Sequence, residues 1–174
     1  MKFILLFISF TYIVMANNIK PNNIPNDLVY GILMNECYID KGFCNPYIIS
    51  FNNKKDIKKA KKLGLKFKNK RSIYCETEKK CEKTLIFLLK HKISNLDLGV
   101  FQINYKYHKM AKNEYFNFKK SKLKVKKILA NLINKYGYSW ETIGRYHSST
   151  KKLNKKYCLS LYKNIKKIKK IKEQ

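Results

Sequence analysis

The stretch Asn-Asp-Leu-Val-Tyr-Gly-Ile-Leu-Met-Asn-Glu, residues 26–36, sets a carboxylic acid at the end of an apolar stripe. Leu28, Val29, Ile32 and Leu33 recur at helical spacing, and Glu36 falls four residues after Ile32 and three after Leu33. Burial disfavours the charged form of a carboxyl, and a carboxyl that keeps its proton near neutral pH is what a general acid requires. The plainer reading puts Glu36 at the edge of the stripe, in water. A second stretch, Asp-Leu-Gly-Val-Phe-Gln-Ile-Asn over residues 97–104, interleaves the amides Gln102 and Asn104 with apolar groups. Amides among apolar and aromatic side chains suit a sugar-binding surface. A third, Tyr146-His147-Ser148, offers a phenol, an imidazole and a hydroxyl in a row.

These groups need elements to hold them. Residues 26–36 predict a short helix, with Asn26 as its N-cap and Asp27 in its first turn. Asp97 reads as the N-cap of a helix starting at Leu98, with Gly99 allowing close approach of backbone or ligand. Ser139 predicts the cap of a helix from Trp140 to about Tyr146, with Glu141 as a structural first-turn acid. Tyr47–Phe51 is a strand or buried connection, and 77–92 is a helix with Leu85, Ile86, Leu88 and Leu89 on its apolar side. Ser121–Tyr136 is a helix lined by Leu123, Ile128, Leu129, Leu132, Ile133 and Tyr136 and closed by Gly137. Tyr157–Ile165 is a last helix with Leu159 and Leu161 inward. Residues 52–92 read as a basic insertion over the core, and 166–174 as a frayed basic tail.

The chain has 174 residues and a formal net charge of +28. One domain with a real core is the expectation. Lys2 followed by the apolar run Phe3–Met15 and then Ala16 has the layout of a signal peptide, residues 1–16, and implies export to the periplasm or cell envelope. No second run is long enough to span a membrane. Nearly all the positive charge is lysine, with Arg71 and Arg145 the only arginines. Such a surface is drawn to polyanions, and in an exported protein an anionic wall or membrane precedes nucleic acid. Beyond residue 20, the three longest segments that lack lysine are Pro21–Asp40, Ile93–Tyr105 and Tyr136–Thr150. They are expected to form three walls of one cleft. Export also permits disulfides, for which Cys37–Cys44 and Cys75–Cys81 are the favoured pairs, leaving Cys158 free. Gly42 and Asn45-Pro46 predict turns after the first helix. The spacing of His91, His108 and His147 fits no zinc site.

Taken together and in order, the Glu36 helix, Asp97-x-Gly-x-x-Gln-Ile-Asn104 and Tyr136-Gly-x-x-Trp-Glu-x-x-Gly-x-Tyr146 resemble the lytic transglycosylases of the soluble, goose-lysozyme-like class. The resemblance is to the small exported members that accompany secretion, conjugation or pilus machines. It covers roughly residues 24–51 and 93–162. The chain departs from the family in having Cys37 where Ser follows the catalytic acid, and Tyr146-His147-Ser148-Ser149 where the family has Tyr-Asn-Ala-Gly.

The resemblance implies a mainly α, lysozyme-like α+β fold, with a cleft across one domain spanning 17–165. It implies cleavage of the β-1,4 bond between N-acetylmuramic acid and N-acetylglucosamine, with Glu36 as general acid and then base and a 1,6-anhydro product. Gln102, Asn104, Tyr146, His147, Ser148 and Asp97 would hold the glycan, with no metal or cofactor. A hydrolytic muramidase using Asp40 or Asp97 as second carboxylate is the alternative. A cationic wall-binding protein with a decayed site is the third.

Overall fold

The computed structural model describes residues 18–37, 39–40 and 43–173. The expected signal peptide 1–16, Gly42 with the turn expected there, and the terminal Gln174 lie outside them. The described chain is mainly helical, with a four-stranded antiparallel sheet and a separate two-stranded ribbon.

Helix α1 (Asn26–Glu36) buries Leu28, Val29, Gly31 and Ile32. Its cap differs from expectation: Pro25 precedes the first turn, and no side chain accepts from it. The helix packs chiefly on α6 (Lys151–Lys172). Gly31 is what allows this. A Cβ there would sit 2.7 Å from Ile165 Cγ1 and 2.8 Å from Leu161 Cδ1. Residue Asn35 ties the same two helices together, its side chain accepting from Ser160 Oγ and Asn164 Nδ2, both at 2.8 Å, and donating to the Tyr157 carbonyl at 3.3 Å.

After α1 comes a two-stranded ribbon, β1 (Ile39–Asp40) and β2 (Phe43–Cys44), closed by the disulfide Cys37–Cys44. The main sheet runs in the order β4 (Ser72–Tyr74), β3 (Ile48–Phe51), β5 (Leu96–Leu98), β6 (Ile103–Asn104). Its register sorts residues into two rows. Ile73, Ile49, Leu98 and Ile103 stand opposite one another across the four strands and are all buried. Ser72, Ser50, Asp97 and Asn104 form the neighbouring row. Successive side chains on a strand alternate faces, so the sheet turns apolar groups inward and a polar row the other way.

The region around Asp97 therefore contradicts the expected helix. Asp97 sits within strand β5, and residues 99–102 turn the chain into β6. The alternation Leu96-Asp97-Leu98 and Ile103-Asn104 is a period-two signal that outweighs a capping pattern. Gly99 has φ +69°, and a Cβ there would fall 2.0 Å from the Tyr115 carbonyl oxygen. The close approach expected at this glycine is thus to backbone.

The segment 52–92 is more than a cover. Helix α2 (Lys54–Lys62) is basic and mostly exposed, its start capped by the Asn53 side chain. The segment also supplies β4 and α3 (Glu78–Lys90), whose Cys81, Leu85 and Leu88 are core residues. Thr77 caps α3, and Cys75–Cys81 forms a disulfide across its first turn. Cys158 is the free thiol. Helix α4 (Phe118–Tyr136) begins earlier than Ser121, capped by Asn117. It turns Leu123 and Tyr136 outward rather than into the core. Helix α5 (Trp140–Gly144) is capped by Ser139. Helix α6 exceeds its expected span at both ends: the segment after Lys166 continues as helix to Lys172 rather than fraying. Leu161 is buried there, whereas Leu159 is exposed, two residues away on the other side.

Candidate active site

Glu36 is the last residue of α1, and its side chain is 12% exposed. Its Oε1 is buried with no hydrogen-bond partner. A buried carboxylate oxygen without a donor is costly unless it meets a proton or a ligand. It lines a cavity of about 610 Å³. Asp97, Gln102, Asn104, Arg145, Tyr146, His147 and Ser148 line the same cavity, so residues from all three lysine-free segments meet there. A second hollow of about 450 Å³ also reaches Glu36, Arg71 and Gln102, and continues over Ser50 and Ser72. Glu36 thus stands where two hollows adjoin.

Asp97 enters from the polar row of the sheet. Asn104 Nδ2 donates to its Oδ1 at 2.8 Å, and Arg71 Nη2 lies 3.8 Å from its Oδ2. Burial raises the Asp97 carboxyl above its ordinary range, offset by hydrogen bonds from Asn52 and Asn104 and by the Arg71 charge, and reinforced by the Glu36 charge. Glu36 and Asp97 are therefore electrostatic neighbours across one space. Asn104 spends its donors on Asp97 and on Asn95 Oδ1 at 3.1 Å, while its oxygen accepts from the Lys106 amide. It organises Asp97.

Gln102 closes the turn between β5 and β6. It has φ 49°, a left-handed conformation uncommon away from glycine. Its Nε2 donates to the Gly99 carbonyl at 2.7 Å, leaving the side-chain oxygen without a partner among the described residues. Tyr146 pins the same turn, its hydroxyl donating to the Phe101 carbonyl at 2.8 Å. Burial raises that hydroxyl well above the usual phenol range, with the Glu36 and Asp97 charges adding to the effect. It remains a donor at any working pH.

The third wall is the turn after α5. The amides of His147 and Ser148 both donate to the Gly144 carbonyl at 3.1 Å. Buried Asn154 fastens the turn from α6, donating to the Glu141 carbonyl at 2.9 Å and the Ser148 carbonyl at 3.1 Å. Ser148 Oγ accepts from the Thr150 amide. Glu141 pairs with Arg145 at 3.0 Å and is exposed, in keeping with a structural role.

Two residues that the sequence did not single out belong to this site. Arg71 lines both hollows and faces Asp97. Its signal was its rarity, as one of two arginines in a lysine-rich chain. Tyr157 of α6 stacks flat against the His147 ring, centroids 4.7 Å apart and planes 2° apart. Its hydroxyl is buried without a partner, and burial followed by the Glu36 charge raises it well above the ordinary phenol value. Nothing in its spacing marked it. The Asp40 side chain lies outside what the structure describes. No cluster of three or more His, Cys, Asp or Glu that could hold a metal occurs among the described residues.

No family model matches the chain, and neither a curated protein nor a solved structure compared with it does so. The functional reading therefore rests on the residues and on their arrangement.

Proposed function

We propose that the protein is a peptidoglycan lytic transglycosylase. The observation that carries this reading is the buried Oε1 of Glu36, without a hydrogen-bond partner, at the junction of two adjoining hollows. A glycan strand laid through both would place a glycosidic bond at the acid. Glu36 gives its proton to the bridging oxygen as the bond to the anomeric carbon breaks. The C6 hydroxyl of the same muramic sugar then attacks that carbon and returns its proton to Glu36. The nucleophile belongs to the substrate, so one carboxylate completes the cycle. The Gln102 oxygen, Arg71, His147 and the backbone near Ser148 are the polar groups left to hold sugar and acetamido groups.

Two disulfides, and the absence of any helix among the described residues long and apolar enough to cross a membrane, accord with an exported protein working at the cell envelope. A secretion, conjugation or pilus machine is the proposed setting.

A second reading draws on Asp97. It lies in a strand facing the cavity rather than capping a helix, so a two-carboxylate hydrolase has the groups it needs. Mass spectrometry of a digest of purified peptidoglycan decides between the two. Transglycosylation yields 1,6-anhydromuramic ends, and hydrolysis yields ends heavier by one water. Binding to the wall with no cleavage at all would refute both and favour a cationic wall-binding protein.

A further inference from the structure

The cavity holds a second proton-carrying group. His147 Nδ1 lies 3.6 Å from Glu36 Oε1. The imidazole is not a loose surface ring, because it stacks in parallel on Tyr157 and its backbone is hydrogen-bonded to Gly144. Its contact atom is the same Glu36 oxygen that lacks any hydrogen-bond donor. A shift of a few tenths of an ångström brings the two within bonding distance.

We propose that His147 is a positioning residue for the proton on Glu36: the two share one proton, held on the imidazole in the open site and passed from Nδ1 to Oε1 when a glycan fills the cavity. The physical reason is solvation. In an open site water stabilises the charged imidazolium, whose side chain is 45% exposed, although the Glu36 oxygen facing it is buried. A sugar that displaces water removes that stabilisation and favours the neutral pair, with the proton on the acid. The step balances, since one N–H bond breaks, one O–H bond forms and no other reactant is needed.

The charged and titratable groups facing His147 support the assignment. Its contact with Glu36 raises the imidazole above its ordinary range, against burial. Asp97 of β5 adds to the rise, and Arg71, just before β4, opposes it. Arg145 also lines the cavity but is engaged with Glu141, and His108, another lining residue, is lowered by burial and by Lys124. Tyr157 keeps its proton throughout. The shared proton thus belongs to the pair.

The kinetic test rests on the glycan-cleaving reading, while a spectroscopic test does not. In the first, kcat/KM on soluble, uncross-linked glycan strands is measured against pH for the wild type and His147→Asn. A shared proton keeps the acid supplied to higher pH, so the ratio of wild-type to variant rates grows with pH, by about tenfold per unit between the two alkaline limbs. A ratio that is the same at every pH means that His147 only shapes the site, and overturns the proposal. In the second, the His147 ring is titrated by NMR in the full chain, assigned by its loss in His147→Asn. In the wild type it titrates above the ordinary imidazole range, and in Glu36→Gln it falls back toward that range. An unchanged titration in Glu36→Gln overturns the pairing. If the wild type cleaves no glycan, the proposed function fails, and the titration still decides the pairing.

Discussion

Asp97 and Asn104 stand directly opposite each other on β5 and β6, and the Asn104 amide donates to the Asp97 carboxylate at 2.8 Å. This contact ends a polar row that begins at Ser72 and Ser50, whose hydroxyls lie 3.0 Å apart. The row brings a carboxylate to the cavity on rigid sheet rather than on a loop. It also makes Asp97 a stability liability that depends on pH.

The sign follows from burial. The folded-state pKa of Asp97 is raised above its unfolded value near ~3.9, so folding disfavours its ionised form. The cost is absent below the unfolded value and grows as pH rises through the folded one. Asp97→Asn keeps an acceptor for Asn104 and removes the cost, so its melting temperature should gain on the wild type between acid and neutral pH. A pH-independent difference would contradict this. Activity supplies a second measure: the transglycosylase reading expects a loss below about tenfold, whereas a catalytic base would cost ~10²–10⁴-fold.

Glu36→Gln keeps the shape of the acid and removes its transferable proton. Cleavage of peptidoglycan should fall by at least ~10²–10⁴-fold while glycan binding persists. Circular dichroism and thermal melting should stay close to wild type. Near-normal cleavage by the variant would place the chemistry elsewhere.

Gly99 and Gly64 make a matched comparison. Both have positive φ, +69° and +81°, but a Cβ at Gly64 meets nothing within 4 Å. Gly64→Ala should cost only ~1–2 kcal/mol, the price of a left-handed residue. Gly99→Ala adds a collision with the Tyr115 carbonyl and should cost at least about 4 kcal/mol, or prevent folding. Urea unfolding of the two variants measures the difference, and equal losses would refute the contact.

The two disulfides should separate by function. Each closes a short loop, worth ~2–3 kcal/mol in the chain-entropy account. Cys37–Cys44 begins at the residue after Glu36, and Cys37 lines one of the two hollows. Cys75–Cys81 lines neither. Removing both cysteines of the first pair should lower stability and activity, whereas removing the second pair should lower stability alone. Activity assays well below either melting transition would show whether the losses divide in this way.

The lysine surface should govern encounter with the wall rather than chemistry. Five lysines of α2 (54, 55, 58, 59 and 62) line one shallow hollow, and none has an ion-pair partner among the described residues. Binding to whole sacculi should weaken from ~50 mM to ~500 mM salt as screening shortens. Turnover of a short soluble glycan should change far less. Equal salt sensitivity would contradict the division.

Helices α3, α4 and α5 were legible because periodicity and capping are local signals, although the caps expected at Asn26 and Asp97 are not formed. The Ser139 cap and the inward Leu85 and Leu88 needed no tertiary information, whereas Ile86, read on the same apolar side, is 46% exposed. The sheet was harder to read. Its strands at Ser72–Tyr74, Leu96–Leu98 and Ile103–Asn104 are three, three and two residues long, too short for alternation to stand out against an apparent cap at Asp97. Leu123 and Leu159 misled because an apolar side chain on a helix is not bound to face inward. At the site, Glu36 announced itself as an acid in an apolar stripe. Tyr157 and Arg71 did not, since their roles come from packing between segments distant in sequence.

The seam between α1 and α6, made possible by Gly31 and stitched by Asn35, carries a consequence for timing. The acid's helix is drawn from residues 26–36, whereas the helix that braces it begins at residue 151. Contacts so distant in the chain close late, because a long loop must be ordered before they form. The sheet and the helices between them can condense first, with the wall behind Glu36 still missing. A chain still emerging from the ribosome, or cut ahead of residue 151, would carry Glu36, the proposed acid, without its backing. On the transglycosylase reading, competence to cut would arrive as a final event, when the last helix docks against the first.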